Sequence, residues 1–317
     1  MDNKPIPTRN GFGEELALLG KTNDKIIVVS ADLEDATRAE YFKKACPERF
    51  FTAGIAEQDM IGMAAGFASE GFTAVTNSFA VFLTNRAYDQ IRLDVCYNDL
   101  NVKLVASHAG VTVGEDGASA QCLEDLAIMR VLPNMKVVCP VDFLEARKAT
   151  RVMLNERGPF YLRLSRAAFP IVTKEGDPFV LGKANVLREG RDVSIIACGV
   201  LVSEALSAAQ TLAGEGIAAR VVNMHTIKPL DIDTIVKCAQ ETGAIVTAEE
   251  HQLNGGLGSA VAEAVVQNAP VPVEMVGVHD SFGQSGTPEE LLQAYHLKAP
   301  DIVRSVQRVL KRKPISL

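Results

Sequence analysis

The sequence predicts an α/β protein of two domains, each a mainly parallel sheet covered by helices on both faces. Three observations predict it. The chain has 317 residues, room for about two domains at roughly 150 residues each. Short runs such as Ile26-Ile-Val-Val29 are apolar without a break, as strands buried on both faces require. These runs alternate with segments of helical period along the whole chain, the pattern of strand–crossover–strand units.

In the first half the apolar runs predict strands over 25–30, 73–78, 102–107, 136–139 and 160–164, with helices over 58–69, 84–95, 124–131 and 143–156. Gly71 and Gly158-Pro159 supply helix stops, and Asp142 stands where an N-cap is needed ahead of Phe143. A turn-rich stretch over 165–190, including Lys174-Glu-Gly-Asp-Pro178, divides the chain into domains 1–175 and 190–317. The second half repeats the alternation, with strands over 192–197, 219–222, 244–248 and 271–276 and helices over 201–213, 232–240, 259–266 and 288–294. A further helix runs into the basic tail Lys311-Arg-Lys313, where positive charge suits the dipole.

Composition narrows the function classes. A net charge of −7 argues against nucleic acid or an anionic membrane as the main partner. No apolar run approaches the roughly 18 residues of a spanning helix, and the opening Met1-Asp-Asn-Lys-Pro lacks the apolar core of a secretory leader. Six cysteines without a CxxC pair read as reduced thiols of a cytoplasmic protein.

Three segments could carry chemistry. Glu57, in Gly54-Ile-Ala-Glu57-Gln58, stands at a strand-to-helix junction ahead of an apolar helix; it is either an ordinary first-turn acid or a working carboxyl whose pKa burial would raise. Phe79 and Phe82 belong to a local excess of aromatics in a chain without tryptophan; they are either core or a wall for a planar heterocycle. The loop Ser107-His108-Ala-Gly110 through Glu115-Asp116-Gly117 follows an apolar strand, where parallel sheets place ligands. His108 there could donate to a sugar hydroxyl or phosphate, and Asp116 could accept from a hydroxyl. Arg9 and Arg166 carry the guanidinium fork that matches an anion. Two features are set aside. Asn254-Gly-Gly-Leu-Gly258 is not a dinucleotide fingerprint opening a domain, which also argues against a nicotinamide dehydrogenase, and Glu249-Glu250-His251 lacks metal-site spacing.

In order and spacing, Gly54-Ile-Ala-Glu57-Gln58, Ser78-Phe79-x-x-Phe82 with Asp89-Gln-Ile-Arg92, and Ser107-His108 through Glu115-Asp116-Gly117 resemble the pyrimidine-binding domain of transketolase. Thr226-Ile-Lys-Pro-Leu-Asp231 and Thr247-Ala-Glu-Glu-His251 with Gly255-Gly-Leu-Gly258 resemble its C-terminal domain, so the likeness covers nearly the whole chain. The resemblance implies a thiamine diphosphate enzyme that moves a two-carbon ketol unit from a ketose, expected to be phosphorylated, to an aldose. It gives Glu57 the carboxyl that meets the aminopyrimidine ring nitrogen, Phe79 and Phe82 the aromatic wall, and Asp32 a place near the cofactor at a subunit interface. It gives His108 a catalytic and substrate-binding role and assigns Arg9, Asp116 and Arg166 to the sugar phosphate.

The family's GDG motif, which with later asparagines holds the diphosphate and Mg²⁺, has no counterpart outside Glu115-Asp116-Gly117. The resemblance therefore implies the C-terminal subunit of a split transketolase, whose N-terminal partner polypeptide ligates Mg²⁺ in an α₂β₂ heterotetramer. Ala120 stands where the family often has histidine or glutamine, and one extra residue falls near Thr84-Asn85-Arg86. Two relatives of the same layout, deoxyxylulose-phosphate synthase and the beta subunit of 2-oxoacid dehydrogenases, are the alternative enzymes, and a non-catalytic scaffold subunit is the alternative of another class.

Overall fold

The computed structural model describes residues 4–313, so the first three residues of the opening lie outside the described residues. The fold is two mainly parallel sheets wrapped by helices, as the alternation predicts. The first sheet has seven strands in the order Thr226–Lys228, Lys136–Val138, Phe160–Arg163, Val102–Ser107, Thr73–Phe79, Ile26–Ser30, Phe50–Thr52. All neighbours are parallel except Thr226–Lys228, which comes from the second half of the chain and pairs antiparallel with Lys136–Val138. The second sheet runs Val273–Val278, Ile245–Gln252, Val193–Ala197, Ala219–Asn223, Asn185–Arg188, the last antiparallel at the edge. The inner strands Ile26–Ser30, Val102–Ser107 and Val193–Ala197 are buried at every residue, which is why their sequences do not alternate.

The apolar cores are not confined to one sheet each. One cluster joins Ile61, Leu104 and Tyr161 to Met224, Ile227 and Val261, so the two halves share packed side chains. Asp142 caps the helix Phe143–Asn155, its carboxylate accepting from the Glu145 amide at 2.9 Å.

Several elements differ from expectation. A helix over Thr8–Gly20 lies in a glycine-rich segment that shows no helical period. It packs on Phe143–Asn155, and Gly11 allows this, because a Cβ there would collide with the Phe143 carbonyl oxygen. The expected helix over 84–95 is instead two π-helical turns, Phe82–Arg86 and Ile91–Tyr97, joined by Tyr88–Gln90. A π turn takes up one residue more than an α turn, which accommodates the extra residue near Arg86.

Candidate active site

The carboxyl ends of the parallel strands of the first sheet form one edge, where ligands bind in open α/β folds. The strand Ile26–Ser30 leads to Asp32, Thr73–Phe79 ends in Phe79, Val102–Ser107 leads to His108, and Phe160–Arg163 leads to Arg166. Glu57 opens the helix Glu57–Ser69 on that same edge, after the strand Phe50–Thr52. Arg9 arrives from the start of Thr8–Gly20, which is tied down by a two-residue ribbon, Ile6–Pro7 with Ala168–Phe169. Thr8 fixes it further, its hydroxyl accepting from the Ser165 amide at 2.7 Å.

Glu57 is only 3% exposed, and both its carboxylate oxygens accept from Arg86 Nη1, at 3.3 and 3.2 Å. The Arg86 guanidinium also lies over the Phe82 ring, 4.2 Å from its centroid. From there the planar groups continue almost parallel. The Phe82 and Phe79 rings are 5.6 Å apart at 14°, and Phe79 and the His108 imidazole are 3.7 Å apart at 15°. The series connects the acid at one end with the arginines at the other.

His108 has a positive φ of 59° and is buried. Burial, followed by the nearby charges of Arg9, Arg166 and Arg38, pushes its pKa down to about 3, so the ring is neutral at physiological pH. Its Nε2 lies 3.4 Å from Arg9 Nη1 and its Nδ1 2.7 Å from Ser107 Oγ. Arginine only donates, so Nε2 is the acceptor and Nδ1 carries the proton that goes to Ser107. Arg9 Nη1 also donates to the Ala36 carbonyl at 2.6 Å, and Arg166 Nη1 pairs with Glu115 at 3.0 Å. Arg9 and Arg166 line a groove of about 670 Å³ between the two halves, whose far wall includes Ser203, Glu204 and Lys298.

The edge thus brings together Glu57, Phe79, Phe82, His108, Arg9 and Arg166. Asp32 and Asp116 are exposed on the same edge. Ala120 is buried, and the neighbouring Gln121 amide turns away to donate to the carbonyls of Val111 and Gln284, at 3.1 and 2.9 Å. Sequence reasoning missed Arg86, because nothing in the residue order shows that a π turn carries its guanidinium back over the Phe82 ring.

It also missed how the second half of the chain holds the loop after His108. The buried Glu250 carboxylate accepts from the Thr112 amide at 2.5 Å, and a Cβ on Gly110 would overlap that carboxylate. Burial, partly offset by Arg163 and the Thr112 amide, raises the Glu250 pKa to about 7. Beneath it, Arg163 donates to Asp125 at 2.8 Å and to the Glu250 carbonyl at 2.9 Å, while Tyr161 donates to Asp125 at 2.7 Å. Burial opposes charge on Asp125, but Arg163 and these hydrogen bonds hold its pKa below the ordinary value. The glycine-rich turn before Leu257–Asn268 is filled from within. Glu249 accepts from the Leu257 and Gly258 amides, both at 2.7 Å, occupying the helix end that an external anion would need.

A buried carboxyl beside an aromatic stack, at the ligand edge of a parallel sheet, is an arrangement that can hold a planar nitrogen heterocycle. The model of the transketolase pyrimidine binding domain matches residues 4–171, and that of the transketolase C-terminal domain matches 182–302. The chain belongs to the transketolase family, and within it corresponds to the C-terminal subunit of a split enzyme. It is 43% identical to the 6-deoxy-6-sulfo-D-fructose transketolase subunit SqwH of Clostridium sp. (strain MSTE9), covering 96% of this chain and 95% of that one. It is 37% identical to one of the subunits of the apulose-4-phosphate transketolase of Phocaeicola vulgatus, covering 98% of this chain and 100% of that one. A solved structure of a split gene transketolase, an inactive beta4 tetramer, superposes with a TM-score of 0.91 at 47% identity, over 98% of this chain and 100% of that one.

Proposed function

We propose that this chain supplies the pyrimidine-side half of a transketolase active site and becomes active with an N-terminal partner subunit in an α₂β₂ assembly. The division into domains near 175–190 belongs to the same reading. The observation that carries it is the Glu57 carboxyl, almost wholly buried and linked through Arg86 to the stacked Phe82 and Phe79 rings. The site fits an aminopyrimidine on one physical test: a planar group bearing N–H donors, the Arg86 guanidinium, already lies against Phe82 with its hydrogens on Glu57.

Thiamine diphosphate, when bound, is the electron sink for the two-carbon unit. Glu57 holds a proton against the ring nitrogen from a place with little water, Phe79 and Phe82 orient the ring, and Asp32 lies at the interface side. The partner subunit grips the diphosphate and Mg²⁺; among the described residues of this chain no group of three His, Cys, Asp or Glu could hold a metal. Arg9 and Arg166 meet the terminal anion of the ketose. His108, neutral at physiological pH, contributes hydrogen bonding through Nε2 when the anion draws Arg9 away, and Asp116 accepts from a sugar hydroxyl. Both relatives are named for sugars with an anionic group, a sulfo group in one and a phosphate in the other, which supports an anionic donor. The cytoplasmic placement rests on the six cysteines, all buried as free thiols. Among the described residues no helix is long and apolar enough to cross a membrane.

The test is ketol transfer by the chain mixed with its partner, thiamine diphosphate and Mg²⁺. Glu57→Gln is expected to lower turnover about a hundredfold or more while leaving the assembly intact by size-exclusion chromatography. Full turnover by that variant rejects the assignment, and turnover of pyruvate in place of ketol transfer points to the decarboxylating relatives.

A further inference from the structure

Arg86 occupies the one place in the stack where both requirements of a pyrimidine ring meet, a face of Phe82 and the oxygens of Glu57. A planar heterocycle that stacks on that face and hydrogen-bonds to that carboxyl cannot share the space with the guanidinium. We propose that Arg86 is a built-in occupant of the pyrimidine site, which neutralises Glu57 before the cofactor arrives and must swing out for the ring to bind. This rests on the transketolase reading given above and adds a competing residue to it.

The surroundings of the pair suit an exchange. Glu57 is 3% exposed whereas the Arg86 side chain is 51% exposed, so the arginine has solvent to move into and the acid does not. A buried carboxylate without a partner is costly, and the guanidinium supplies that partner. The Arg86 backbone is anchored, its carbonyl accepting from Gln58 Nε2 at 3.0 Å, which confines the exchange to the side chain. The π turn Phe82–Arg86 brings the guanidinium back over the ring that starts the turn. A guanidinium and a protonated aminopyrimidine share planarity, charge and N–H donors, which is why one can stand in for the other.

The experiment is isothermal titration calorimetry of thiamine diphosphate, with Mg²⁺ present, into the complex of this chain and its partner. Arg86→Ala is expected to bind about fivefold more tightly than the unmodified complex, the scale on which a half-exposed ion pair competes. Arg86→Lys, which keeps the charge but loses the planar stack, should tighten binding less. With Glu57→Gln as background, removing Arg86 should tighten binding less than it does with Glu57 in place, because the two contacts are coupled. Should Arg86→Ala assemble poorly, Arg86→Gln serves instead, with circular dichroism as the check on folding. Unchanged or weaker affinity in the Arg86 variants, while Glu57→Gln alone weakens binding, overturns the proposal and leaves the transketolase reading standing. If Glu57→Gln also leaves affinity unchanged, the cofactor-site reading is what fails.

Discussion

Glu57 and Glu250 are both almost wholly buried acids at the first sheet's ligand edge, Glu250 reaching it from the second-sheet strand Ile245–Gln252, but their surroundings differ in kind. Glu57 meets a single half-exposed arginine, and the edge around it opens toward solvent. Glu250 is sealed between the halves, its oxygen on the Thr112 amide and its carbonyl on Arg163, which is itself locked to the buried Asp125. The partner's exposure, more than the acid's burial, separates a contact that can be exchanged for a ligand from one that fixes a loop.

The contrast is broken most severely at Asp125. Asp125→Ala leaves the Arg163 guanidinium buried without its carboxylate, and a loss of about 3–5 kcal/mol in urea unfolding is expected. A loss no larger than that of an exposed ion pair would mean the seam is wetter than its geometry indicates.

Next comes the pH dependence at Glu250. Its pKa rises from 4.5 to about 7 on folding, so the native state binds more protons than the unfolded chain across that interval. The stability it contributes is therefore complete below pH 4.5 and is lost as pH rises through about 7. Melting temperatures from pH 5 to 8 should fall less steeply in Glu250→Gln than in the unmodified chain. Identical slopes would show that Glu250 does not titrate across that range.

The smallest change tests the open end of the comparison. Arg166→Ala should raise KM for a phosphorylated ketose about tenfold, the worth of a charge-assisted hydrogen bond, and change KM for a free ketose little. Equal effects on both would place the anion elsewhere.

The inner strands were readable because burial on both faces makes them apolar throughout, as in Ile26–Ser30 and Val193–Ala197. Short edge strands such as Phe50–Thr52 and Asn185–Arg188 escaped, since half-buried pieces of three or four residues have no pattern to show. Thr8–Gly20 escaped because its glycines serve a close helix crossing, not a turn. At the site, the positions of Glu57, Phe79, Phe82 and His108 were legible, because each stands where a strand ends or a helix begins. Arg86 was visible only as part of an extra residue, because the π turn that aims it is a backbone choice. Glu250 was set aside with its neighbours as a failed metal motif, and its contact with Thr112, 138 residues away, leaves no local trace.

The strand Thr226–Lys228 crosses over to finish the first sheet beside Lys136–Val138. Scission of the polypeptide in the turn-rich stretch would strip that cover and leave the Lys136–Val138 backbone unpaired at a bare margin, a template for adhesion to other molecules. An isolated amino-terminal fragment is thus expected to precipitate where the intact chain does not, and the stretch that reads as a joint in the sequence is a poor place to cut.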